Sequence, residues 1–167
     1  MADNHLSASF AFSCTSAEML LLNEAFQFVF DRTLKLAAGT PSASLLAIFP
    51  PTEPEDPWSG FRSQFPDPDF PHLGADIRAD RHDDAPDRYT IYIYGMTHFQ
   101  PEPIANLIQG CCQASLKEAP IGFEWTETCS RPRPGEFGGG WCAIFPDRVE
   151  FETTREALTA ALTGGII

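Results

Sequence analysis

Arg131, Arg133, Glu136, Gly138, Gly139 and Gly140 fall in one short stretch, SRPRPGEFGGG, whose residue types could do chemistry. Guanidinium groups hold carboxylates and phosphates through paired hydrogen bonds, and consecutive glycine amides can form a nest that cradles an anion. Pro132 and Pro134 restrict φ on both sides of Arg133 and would stiffen its presentation. The chemistry implied is capture of an anion by a shaped loop. A purely structural alternative gives the glycines to a bulge or a close backbone approach and pairs Glu136 with an arginine. The spacing excludes a Walker loop, because GEFGGG lacks the lysine, and a dinucleotide fingerprint, because no helix follows it.

Cys129 enters the same stretch. A nucleophilic cysteine needs exposure, cationic neighbours and a base. Arg131 and Arg133 could supply the charge, and His72 or His98 the base, although nothing in the spacing brings either histidine near. The alternative is a buried, inert thiol. Cys111 and Cys112 fall on an expected helix and read as core, and the five cysteines, with Cys14 and Cys142, form neither a CxxC pair nor an even disulfide set. His72, Asp76, His82, Asp83, Asp84 and Asp87 are metal-ligand types, but no EF-hand or HExxH spacing is present, so they read as a solvated acidic surface and no metal or cofactor is expected. Glu124 and Glu127 lie on opposite sides of an expected strand and make no acid–base pair.

The chain has 167 residues and a formal net charge of -12, with a pI near 4.5. An acidic excess of this size repels phosphate backbones and favours cationic partners, so a protein partner with a basic surface is expected rather than direct nucleic-acid binding. The surface from Glu53 to Asp87 is the expected meeting face. No charged segment with an apolar core opens the chain, and no apolar run is long enough to span a bilayer, so the expected location is the cytoplasm, away from membranes.

The elements that must position these residues are legible in hydropathy patterns. Leu6, Ala8, Phe10, Phe12 and Cys14 alternate with small residues as in a half-buried strand. Thr15 and Glu18 have capping-box spacing, and Met19, Leu22, Phe26, Val29 and Phe30 recur at helical spacing toward a stop at Gly39. Ser44–Phe49 reads as a short buried strand closed by prolines. Residues 51–88 form a Pro/Asp-rich insertion, expected to be ordered because Trp58, Phe61, Phe65 and Phe70 would pin it to the core. A strand at Ile77, a central strand over Arg88–Met96, a helix over Gln100–Lys117, strands over Ile121–Cys129, Trp141–Phe145 and Val149–Phe151, and a last helix opened by Thr153 and Glu156 complete the pass. Together these predict a single α+β domain with an antiparallel or mixed sheet of five to seven strands and helices near residues 16–37, 101–117 and 154–163. The sequence AIFP occurs at Ala47–Pro50 and Ala143–Pro146, the echo that two duplicated halves would leave.

The segment FEWTETCSRPRPGEFGGG, with PIANLIQGCC before it and VEFETTREAL after it, resembles a group of small uncharacterised bacterial proteins, some associated with phages or other mobile elements. The likeness extends more loosely through FPDPDFPHLGADI. It implies a shared loop and a raised prior for a protein that blocks a host protein, with no activity or catalytic residue to carry over. The expected function is therefore an acidic, non-enzymatic interaction protein, in one version a mobile-element inhibitor of a basic or nucleic-acid-binding host protein. The alternative is a small enzyme acting on an anionic substrate through Cys129 or Glu136 with Arg131 and Arg133. A third reading is a homodimer, for which Trp58 or Phe61 would be the exposed contact.

Overall fold

Alternation along β1 (Asn4–Thr15) decides which side of the sheet is dry: Ala8 and Cys14 are buried while Ser9, Ala11 and Ser13 are exposed. The computed structural model describes residues 1–164, a single α+β domain. In chain order β1 is followed by α1 (Ser16–Thr33), α2 (Ala43–Ile48), α3 (Ser59–Arg62), β2 (Asp76–Arg81), β3 (Arg88–Gly95), α4 (Pro101–Cys111), α5 (Gln113–Glu118), β4 (Ile121–Cys129), β5 (Gly138–Ile144), β6 (Val149–Thr153) and α6 (Thr154–Leu162). Six strands form one sheet in the order β2-β3-β1-β4-β5-β6, with every neighbouring pair antiparallel.

The inward residues of β3, β4 and β5, among them Ile91, Ile93, Phe123, Trp125, Cys142 and Ile144, join Leu22, Phe26, Ile104 and Leu107 from the helices in one core. Phe10 of β1 stacks on Phe123 of β4 at 4.4 Å between ring centres. The other face of the sheet carries Ser9, Tyr92, Tyr94, Glu124 and Trp141, which are exposed or half-buried, and lacks such a cover among the described residues. Bulk on both sides of β3 predicts a strand central in its sheet; β3 lies between β2 and β1, one place in from the edge, and Tyr94 on its outer face is exposed.

The capping box at the start of α1 is present in both directions, Glu18 N–H to Thr15 Oγ1 and Thr15 N–H to Glu18 Oε1. The helix ends earlier than its apolar pattern predicts. Lys35 takes the left-handed conformation (φ 58°), and the Leu36 N–H returns to the Asp31 carbonyl at 2.8 Å, the bond that closes a helix without waiting for Gly39.

Residues 43–48 are helical where a strand was expected. Ser42 caps the Leu45 N–H and is itself held by both carboxylate oxygens of Glu24, and Pro41, Leu45 and Phe49 point inward at a spacing of four. In so short an apolar run strand and helix periods look alike, and the Glu24 contact comes from a different helix. The two AIFP segments thus end a helix in one case and a strand in the other, and they do not occupy equivalent places.

The helix expected over 100–117 is broken at Cys112 (φ −113°, ψ 34°) into α4 and α5. Glu18 enters the break: its Oε2 accepts the Ser115 N–H at 3.1 Å and its Oε1 the Ser115 hydroxyl at 2.5 Å. One buried carboxylate therefore satisfies the starts of two helices.

The Pro/Asp-rich insertion is ordered by its aromatics. Phe61 lies among Phe28, Phe49, Trp58 and Phe65, and Ser59 Oγ accepts the N–H groups of Thr52 and Glu53. Phe70 is the exception; it is 77% exposed and pins nothing.

Candidate functional site

Two features compete as the site, the tip between β4 and β5 and the uncovered face of the sheet beside it. At the tip, Ser130–Phe137 connects the two strands and is largely exposed. The Glu136 N–H bonds the Arg133 carbonyl across Pro134 and Gly135, with Gly135 at φ +80°, which a side-chain-bearing residue adopts only with strain. A second bond from the Arg133 N–H to the Arg131 carbonyl tightens the approach. Ser130 is tied to Asp3 through two hydrogen bonds, and Arg155 of α6 reaches over to donate to the Gly135 carbonyl at 2.5 Å. Arg155 has no signature in the sequence, because only the placement of α6 brings it to the loop.

Arg131, Arg133 and Glu136 form no ion pair among the described residues, so the arginines do not fold onto Glu136. Their guanidinium groups are presented to solvent on a stiff turn. The three glycines, in contrast, are not part of the loop. Gly138, Gly139 and Gly140 are the first residues of β5, in register with Glu127, Thr126 and Trp125, and Gly140 also pairs with Thr153 of β6. Successive amides of a strand point to opposite edges and cannot gather into an anion nest, so that expectation is corrected. A Cβ on Gly140 would lie 2.4 Å from the Trp125 ring, and one on Gly139 would lie 2.4 Å from the Trp125 carbonyl. The glycines exist for close packing, the structural alternative.

Trp58 is not a surface contact. It is 8% exposed, stacks on Phe28 at 4.0 Å and donates its indole N–H to the Gly39 carbonyl at 2.6 Å. Phe61 is equally buried, so neither can serve the homodimer contact that required them exposed.

Four cysteines are buried, and Cys129 alone is half-buried. Burial pushes the Cys111 and Cys142 thiols up to about 12, and a hydrogen bond with Cys14 together with burial raises that of Cys112. Cys129 makes no hydrogen bond with a histidine among the described residues. His72 and His98 instead lie beside one another, 6.3 Å between ring centres, and burial followed by the neighbouring His98 lowers the pKa of His72. A thiol-specific reagent is therefore expected to label one cysteine per native chain, Cys129, and all five after denaturation. Mass mapping of the native adduct to Cys14 or Cys112 would contradict this packing. The acids and histidines between His72 and Asp87 do not converge either; among the described residues no three metal-ligand side chains come together.

The uncovered face holds an open groove of about 1040 Å³ bordered by Ser9, Met96, Glu124, Thr126, Gly139 and Trp141. It opens where β1 and β4 part company: the two strands stay in register only over Asn4–Ser7 and Thr126–Cys129. Tyr94 and Trp141 are 41% and 40% exposed on either side of it. The alternation that defines the core also places these two rings opposite it, which was the available signal.

No family model, curated protein or solved structure matches the chain. No helix among the described residues is long and apolar enough to cross a membrane.

Proposed function

We propose that this chain is an acidic, non-enzymatic interaction protein that binds a partner with a basic surface in the cytoplasm. The observation that carries the reading is uncompensated charge on ordered backbone. Of the 23 Asp and Glu residues, six stand in ion pairs among the described residues: Asp56, Asp69, Asp80, Glu118, Asp147 and Glu150. Glu53, Glu55, Asp67, Asp83 and Asp84 of the insertion are exposed and have no such partner among the described residues. Carboxylates held at defined positions raise the local concentration of a cationic partner and suppress neutral or acidic ones, which favours selective association over mere solubility. Arg131 and Arg133, which form no ion pair among the described residues, supply a contact of opposite sign from their stiff turn and fix the orientation of docking.

One version is mimicry of nucleic-acid charge by an inhibitor of a nucleic-acid-binding host protein, as the resemblance of the loop motif to mobile-element proteins implies. The competing enzyme reading draws on the same arginines, but among the described residues Cys129 makes no hydrogen bond with a histidine and Glu136 makes no ion pair. Capture from cell lysate at about 0.15 M salt tests the proposal. The expected result is a basic nucleic-acid-binding protein that elutes with salt and whose nucleic-acid binding is lost on adding the purified chain. Recovery of no basic protein would overturn it.

A further inference from the structure

Trp141 sits on β5 directly between Glu124 of β4 and Glu152 of β6, and Tyr94 on β3 sits directly beside Asp76 of β2. Side chains opposite one another across antiparallel strands lie about 5 Å apart at their Cβ atoms, so each exposed ring has a carboxylate at its edge. Asp76, Glu124 and Glu152 take part in none of the ion pairs among the described residues. An aromatic face beside a free carboxylate offers both things that a guanidinium uses, a flat ring to stack on and a two-pronged acceptor for its N–H fork.

The same face already holds one such arrangement. Arg78 of β2 lies over the Tyr92 ring at 4.4 Å and reaches Asp80 at 3.4 Å. Tyr94 and Trp141 repeat its ring and its acid without the arginine. Between them run the small residues Ser9 and Gly122 and the groove, with Met96 exposed at its border. With β1 and β4 intervening, the strands that carry the two rings stand about 14 Å apart at strand spacing, a span suited to a protein surface rather than a small molecule.

We infer that the open sheet face is the docking surface of the basic partner, and that Tyr94 with Asp76 and Trp141 with Glu124 and Glu152 each receive an arginine side chain from it. The inference rests on the proposed recognition of a basic protein and names where and how that recognition occurs. A second copy of this chain fits less well, because face-to-face pairing would set these unpaired carboxylates against their own kind. Stacked nucleic-acid bases fit less well too, since their phosphates would meet the same acids.

An isotope-labelled full chain titrated with an arginine-rich peptide, and with a lysine-rich peptide of equal length and charge, tests this by heteronuclear NMR. At about 0.15 M salt the arginine peptide is expected to shift the Trp141 indole N–H and the amides of Ser9, Tyr94 and Glu124, and to bind several-fold tighter than the lysine peptide. Trp141→Ala and Glu124→Gln alter exposed side chains and should preserve the amide spectrum, while each weakens the arginine peptide about tenfold. Shifts confined to residues 53–69 and 82–87, or equal binding of the two peptides with Trp141 unmoved, would overturn the docking face and leave recognition of a basic partner standing. Failure of both peptides to bind even at low salt would overturn both. A concentration-dependent dimer abolished by Trp141→Ala would assign the face to a second copy and also overturn the inference.

Discussion

Replacing Glu18 by alanine is expected to destabilise the fold by about 3 kcal/mol or more, a large share of the roughly 5–15 kcal/mol that holds a domain together. The side chain is buried, and three donors converge on its carboxylate: the Thr15 N–H, the Ser115 N–H and the Ser115 hydroxyl. Truncation would strand these donors in the interior and would remove half of the capping box of α1 together with the cap of α5. Because Ser115 lies 97 residues from Glu18 in sequence, the loss would not be confined to one helix.

The same contacts fix a pH dependence. Burial raises the pKa of Glu18, but the hydrogen bonds from Ser115 and Thr15 outweigh it and hold the carboxyl below its usual range. A group whose pKa is lower in the folded state contributes stability above its unfolded value, about 4.3 for glutamate, and loses that contribution as pH falls through the folded value. Urea unfolding of the parent and of Glu18→Gln should therefore differ most near neutrality and converge in acid. A difference that stays constant from neutral to strongly acidic pH would show that the ionised carboxylate adds nothing.

Gly140→Ala is expected to cost about 2–3 kcal/mol, while Gly138→Ala, two residues away, costs under about 1 kcal/mol. The contrast comes from what each new methyl group meets. At Gly140 it would press on the buried Trp125 ring at 2.4 and 2.8 Å and on the Glu152 carbonyl at 2.8 Å, and neither ring nor ladder can move aside. At Gly138 its nearest neighbours are the Thr154 hydroxyl at 3.1 Å and the end of Glu127 at 3.8 Å, both of which can rotate away. Thermal or denaturant melts of the two variants decide the matter. Equal, small losses would mean that the glycines serve the loop after all and would reopen the anion-nest reading.

The glycine run shows how a sequence motif can be legible and still be misplaced. Three glycines after RPRPGEF read as loop because glycine is depleted in strands, and nothing local says that Trp125, thirteen or more residues earlier, needs the space that their missing side chains leave. The turn itself was readable, since Pro134 and Gly135 are what a tight reversal with positive φ demands. The exposure of Arg131 and Arg133 followed from that turn, but their freedom from Glu136 did not, because pairing depends on side-chain direction.

Hydropathy period and capping residues alone determined the α+β class, the positions of the long strands and helices, and the acidity of the surface, since each is a property of neighbours in the chain. The tertiary structure decided the rest. It turned Ser44–Phe49 into a helix by placing Glu24 against Ser42, split the fourth helix by bringing Glu18 to Ser115, and buried Trp58 against Phe28. It also aligned Trp141 with Glu124 and Tyr94 with Asp76, which are neighbours only across strands. Such contacts depend on strand order and register, and those are settled when distant segments compete for the same core and the same hydrogen bonds.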